Sequence, residues 1–129
     1  MAQIPDLTIF FDGSCPLCRR EIAHYLRRDR AGRLAALDIA ADPAPLTRLG
    51  ISHGAAMAAL HACDAQGKVL IGSDAFLAIW DRLPRWRRLS AALRMLPGAT
   101  WALEQVYRVV APRRARIVAA FCPTRGCAR

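Results

Sequence analysis

Two cysteines three residues apart, Cys15 and Cys18, stand with Pro16 and Leu17 between them, directly after the turn-forming run Asp12-Gly13-Ser14. A pair of thiols at this spacing can do two kinds of chemistry. It can cycle between dithiol and disulfide, or it can supply two thiolates to a soft metal. The chain has five cysteines in all: Cys15, Cys18, Cys63, Cys122 and Cys127. The number is odd and no secretory pattern precedes them, which argues against a disulfide framework.

The position of the pair favours redox work. Leu7 to Phe11 is a short apolar, β-prone run, and a helical pattern begins at Pro16. Proline suits the first helical position, where its missing N–H costs nothing. Cys15 is then the N-cap. Its sulfur lies near the unpaired amides of the first turn and the positive end of the helix dipole. Both stabilise a thiolate, so Cys15 is expected to ionise more readily than a free cysteine and to act as nucleophile. Arg19 and Arg20 can add to the effect. Cys18 lies one turn on, on the stripe of Ile22, Tyr25 and Leu26, and is expected to be the deeper, resolving thiol.

Neighbouring residues have functional and ordinary readings. Asp12 is either a proton relay for Cys18 or a turn carboxylate that bonds nearby amides; close to Cys15, it would oppose ionisation. Gly13 supplies a backbone angle that other residues resist, or lets a partner backbone approach. Glu21 reads chiefly as a solvated helix charge, with pairing to Arg residues or steering of a partner as the lesser readings. His24 has a lesser reading as a proton shuttle. Cys63 reads as a buried strand residue. Cys122 and Cys127 form a second redox pair or relay, or have no role.

Metal is the main competitor. Cys15, Cys18, Cys122 and Cys127 together make a C-x2-C…C-x4-C set, which could hold zinc. Against this, the first pair opens a long helix rather than a tight knuckle. The redox reading needs no cofactor and no metal.

The elements that must position the pair follow from the pattern. After the strand at 7–11 and the helix from Pro16 to about Arg30, Leu34 to Ile39 reads as a second strand. A short helical turn ends at Gly50. Met57 to Asp64 reads as a third strand, joined through Ala65-Gln66-Gly67 to a fourth at Lys68 to Ile71. Ser73 or Asp74 is expected to cap a helix to about Leu83. Arg85 to Leu96, Thr100 to Ala111 and Arg113 to Phe121 read as further helices, with Trp101, Val106 and Val110 available for packing. The order predicts one α/β domain spanning 1–129. Its core, about 6–83, is a mixed four-stranded sheet flanked by helices; 84–121 is a helical extension and 122–129 a tail.

Composition adds limits. Nineteen Arg and Lys against ten Asp and Glu give a net charge of +9, and Lys68 is the only lysine. The Arg-rich C-terminal helices could make weak contact with an anionic surface, but no aromatic-studded basic motif points to specific nucleic-acid binding. No stretch is apolar enough for a transmembrane helix, and no signal pattern opens the chain, so the expectation is a soluble, cytoplasmic protein.

The segment Asp12 to Glu21, D-G-x-C-P-L-C-x-x-E, resembles the signature of the DCC family of predicted thiol-disulfide oxidoreductases, whose Asp and two Cys correspond to Asp12, Cys15 and Cys18. Arg27-Arg28-Asp29, Asp64 to Gly67, Gly72 to Ala75 and Tyr107 to Ala111 look like weaker family blocks, so the likeness runs from about 7 to 117. The resemblance implies a thioredoxin-like (glutaredoxin-like) fold, Cys15 and Cys18 as the redox pair, and thiols or disulfides of proteins or small molecules as partners. The chain departs from thioredoxins in one respect. Ser52 to Ala59 contains no proline where those proteins place a cis-proline beside the dithiol, which leaves the metal reading open.

Three functions therefore compete: thiol-disulfide exchange through Cys15 and Cys18, zinc binding through four cysteines, and a noncatalytic module with a basic helical face.

Overall fold

A computed structural model describes residues 4–113 and 116–117. Four strands, β1 (Leu7–Phe11), β2 (Leu34–Asp38), β3 (His61–Asp64) and β4 (Val69–Ile71), form one sheet in the order β2-β1-β3-β4. β1 and β2 are parallel, with Leu7 opposite Leu34 and Phe11 opposite Asp38. Their crossover is helix α1 (Pro16–Arg28), the connection that a parallel pair requires. β3 runs antiparallel to both β1 and β4. The mixed four-stranded sheet expected from the sequence is therefore the one observed.

Strand β1 alternates between two cores. Leu7 and Ile9 face α1 and helix α4 (Ser73–Asp81), and pack with Ile22, Tyr25, Leu34 and Ile79. Phe10 points the other way, onto Ile39, Leu46 and Ala56. These belong to the segment carrying the short helices α2 (Ala44–Arg48) and α3 (His53–Ala58). Both faces of the central strand are thus buried, which explains its unbroken apolar run. Leu26, expected on the buried stripe of α1, is 40% exposed; the stripe is Ile22 and Tyr25.

The largest departure from expectation lies before β3. The segment Met57 to Asp64 is not one strand: His53–Ala58 is α3, and pairing begins only at His61. Ser52 caps this helix, its Oγ accepting the Ala55 N–H at 3.1 Å. That cap and an alanine-rich run outweigh the apolar character that suggested a strand. β2 ends at Asp38, and Ile39 follows it as a buried residue.

Helix α4 is capped differently from expectation. Gly72 is its N-cap, with φ +65°, and neither Ser73 nor Asp74 serves as a side-chain cap. The missing acceptor comes from helix α6 (Ala99–Val110), where the Glu104 carboxylate takes the Ser73 N–H at 3.2 Å and the Ser73 hydroxyl. Helix α5 (Trp86–Met95) is tied to α4 by the Ser90 hydroxyl, which donates to Asp81 at 2.6 Å, and by Trp86 stacked on Trp80 at 5.5 Å. Of the residues expected to pack α6, Trp101 is 68% exposed and Val106 59% exposed, and Val110 is also exposed. α6 is anchored by its polar and aromatic side, through Glu104 and Tyr107. The expected helix at Arg113 to Phe121 falls largely, and the tail at 122–129 entirely, outside the described residues.

Candidate active site

The loop between β1 and α1 folds on itself through Asp12. The buried carboxylate, 7% exposed, accepts the Ser14 N–H at 3.0 Å and the Ser14 hydroxyl at 2.5 Å, both on Oδ1. The Asp12 carbonyl accepts the Cys15 N–H at 3.1 Å. These bonds fit the ordinary reading of Asp12 as the holder of the turn, and the residue also borders the groove described below.

Gly13 also packs within the chain in a way its sequence context does not announce. Its φ is not positive. Instead the Asp38 side chain, from the end of β2, lies against its α-carbon and accepts its N–H at 2.8 Å. A Cβ on Gly13 would stand 1.8 Å from Asp38 Oδ2. The same carboxylate accepts the Ala40 N–H at 2.9 Å, so Asp38 stitches the dithiol loop to the turn after β2. Nothing in the local sequence around the cysteines points to Asp38; only the parallel pairing of β1 and β2 brings it there.

Cys15 is the N-cap of α1, and Pro16 stands at the first helical position. The Cys15 Sγ accepts the Cys18 N–H at 3.4 Å. Cys15 thus has the geometry expected from the sequence, its sulfur facing an amide of the first turn. Both cysteines are thiols, and both are half-buried. What separates them is their surroundings. Cys18 forms part of the wall of a groove of about 340 Å³, whereas Cys15 does not. Arg19 and Arg20 lie exposed on the outer face of α1.

The groove runs between the start of α1 and helix α6. Phe11, Leu17 and Ile22 contribute from the dithiol side, and Leu103, Val106 and Val110 from α6. Its floor includes Ala59 and Leu60, the segment that enters β3 beside the cysteines. No cis peptide occurs among the described residues. The Leu60 N–H donates to the Tyr107 hydroxyl at 2.5 Å, and its carbonyl accepts the Gly72 N–H at 2.8 Å. The backbone at this point is therefore held by the chain's own C-terminal helix.

Glu21 is not the solvated charge expected. It is half-buried, lines the groove one turn beyond Cys18, and accepts the Tyr25 hydroxyl at 3.0 Å. Trp80 Nε1 donates in turn to the Tyr25 oxygen at 3.2 Å. Burial pushes the Glu21 carboxyl above its usual range, and the Tyr25 hydrogen bond only partly opposes this. Burial, reinforced by the negative charge of Glu21, also pushes the Tyr25 phenol upward. His24 packs edge-on against Tyr25 and Trp86, a structural placement away from the groove lining. Cys63 lies half-buried in β3 against the second core, its thiol pushed up by burial and by Asp64.

Among the described residues, no group of three or more His, Cys, Asp and Glu side chains could hold a metal ion. Cys122 and Cys127, which complete the four-thiolate alternative and the relay, lie outside the described residues. Nor is any described helix long and apolar enough to cross a membrane.

Comparison with known proteins agrees with this architecture. A chloroplastic protein of Arabidopsis thaliana, uncharacterized in function, is 29% identical over 79 residues, which is 60% of this chain and 37% of that protein. The chain thus spans little more than a third of that relative's length. No solved structure is significantly similar. The model of the DCC1-like thiol-disulfide oxidoreductases matches residues 9–120, a span holding the dithiol loop, most of β1, the other three strands and α6, and the chain belongs to this family of thioredoxin-like oxidoreductases.

Proposed function

We propose that the protein exchanges disulfides through Cys15 as nucleophile and Cys18 as resolving thiol. The observation that carries this reading is the Cys15 sulfur at the helix start, accepting the Cys18 amide at 3.4 Å. A negative charge forming on that sulfur meets the Cys18 amide and the positive end of α1. In the forward direction the Cys15 thiolate attacks a substrate disulfide. One substrate sulfur is bound to Cys15, and the other leaves as a thiolate. Cys18 then attacks the Cys15 sulfur, closing a Cys15–Cys18 disulfide and releasing the second thiolate, so the substrate is reduced by two electrons. Run backward, the same steps oxidise a dithiol.

Asp12 and Gly13 support the pair by fixing the loop, and Pro16 by starting the helix at the right residue. The substrates are thiols and disulfides of proteins or small molecules. The cytoplasm is the compartment this reading takes, because reducing conditions keep a catalytic pair available. No cofactor takes part in the exchange.

The test is trapping. Cys18→Ser should accumulate a mixed disulfide on Cys15, and Cys15→Ser should lose exchange altogether. Oxidised protein should differ from reduced protein by about 2 Da in the peptide that contains both cysteines, as closure of one disulfide requires. Exchange that survives Cys15→Ser, or stoichiometric zinc whose removal unfolds the protein, would overturn the assignment.

A further inference from the structure

We propose that Glu21 is the proton acceptor that activates Cys18 for the resolving step, an inference that rests on the dithiol reading above. Its basis is the placement of the two groups. Glu21 and Cys18 line the same groove, three residues apart on α1. That spacing puts their Cβ atoms about 5–6 Å apart, a gap that the reach of a glutamate, or one water, closes. The carboxylate is held in place from behind, through Tyr25 and then Trp80 of α4.

Its surroundings argue that stability did not select it. Among the described residues, no arginine, lysine or histidine lines the groove, and Glu21 takes part in none of the ion pairs they form. A half-buried carboxylate facing an apolar groove without a cation is disfavoured unless it serves some purpose. The titratable groups that share its space are Asp12 from the loop, Cys18 and Tyr25 from α1, and Tyr107 from α6. Burial raises the Glu21 carboxyl, which makes it a stronger base than an exposed glutamate. Cys18 is also the thiol that must lose a proton during resolution. In the step, Glu21 takes the Cys18 Sγ proton, the Cys18 sulfur attacks the Cys15 sulfur, and the Cys15–substrate bond breaks. The substrate sulfur leaves with the bonding electron pair, and the proton on Glu21 returns to it or to solvent.

The test uses the full chain with Cys63→Ala, Cys122→Ser and Cys127→Ser, mixed with the aromatic disulfide dithionitrobenzoate. The first coloured thiolate appears when the mixed disulfide forms, the second when Cys18 displaces it. This leaving group departs as an anion and needs no proton, so the second phase reports activation of Cys18. Glu21→Gln keeps an acceptor for Tyr25. It should leave the first phase unchanged and slow the second by about a hundredfold or more near pH 7, the lower end for loss of a general base. The deficit should close in alkaline solution, where the thiol ionises unaided. An unchanged second phase, equal slowing of both phases, or a deficit constant with pH would overturn the role of Glu21. Suppression of the second phase by Asp12→Asn but not by Glu21→Gln would reassign it to Asp12. Absence of any second phase in the parent would defeat the dithiol reading itself.

Discussion

The contact between Gly13 and Asp38 makes a sharp prediction for Gly13→Ala. The new methyl would stand 1.8 Å from Asp38 Oδ2 and 2.1 Å from its Cγ, so the carboxylate must leave. Its departure breaks the bond from the Gly13 N–H, a hydrogen bond to a charged group worth about 1.5–3 kcal/mol. Rearranging a packed site around an added methyl costs about 1–3 kcal/mol more. The stiffer unfolded chain returns about 0.4–1 kcal/mol. The net expectation is a loss of about 1.5–5.5 kcal/mol, read from urea unfolding followed by circular dichroism. A double-mutant cycle isolates the cause. In the Asp38→Ala background the methyl has room, and Gly13→Ala should cost little or nothing there. A single-mutant loss below about 1 kcal/mol, or an equal loss in both backgrounds, would refute the reasoning, since both depend on the carboxylate lying where a Cβ would go.

Two further predictions concern the C-terminal helix. The Ser73 hydroxyl and amide, with Arg108, hold the Glu104 carboxyl below its usual range, so its contribution to stability is present above the unfolded-state value and is lost as acid protonates it. Stability should therefore fall below about pH 5 as carboxylates protonate, and Glu104→Gln should flatten part of that slope; an unchanged slope in pH-dependent unfolding would count against the contact. Tyr107→Phe removes the acceptor of the Leu60 N–H and should cost about 1–3 kcal/mol, the penalty for an unmade bond in a partly buried site. Faster hydrogen exchange at Leu60 should accompany it, and exchange unchanged there would count against that bond.

Local signals made the dithiol legible in the sequence. Pro16 at the first helical position, a turn before it and an apolar strand before that depend only on neighbouring residues, and each appears as expected. The same is true of the hairpin, where the Asp64 side chain accepts the Gln66 and Lys68 amides. What escaped was set by distance along the chain. Asp38 reaches Gly13 across 25 residues, Glu104 caps Ser73 across 31, and Tyr107 meets Leu60 across 47. Glu21 read as solvated because its periodicity places it among charges, and only the arrival of α6 and Trp80 makes that face a groove wall. The Met57 to Asp64 misreading has another origin: a six-residue helix is too short for periodicity to separate from a strand.

The hydroxyl of Tyr107 on the Leu60 amide bears on how this protein can be divided. Residues 6–83 carry every strand among the described residues and both cysteines of the pair, and would ordinarily be cut out as a minimal catalytic unit. Such a fragment would strip the donor entering β3 of its acceptor, uncap α4 by removing Glu104, and unroof the groove at Cys18. The smallest piece worth expressing therefore ends beyond α6, and grafts of the dithiol loop onto other scaffolds need a surrogate for that tyrosine.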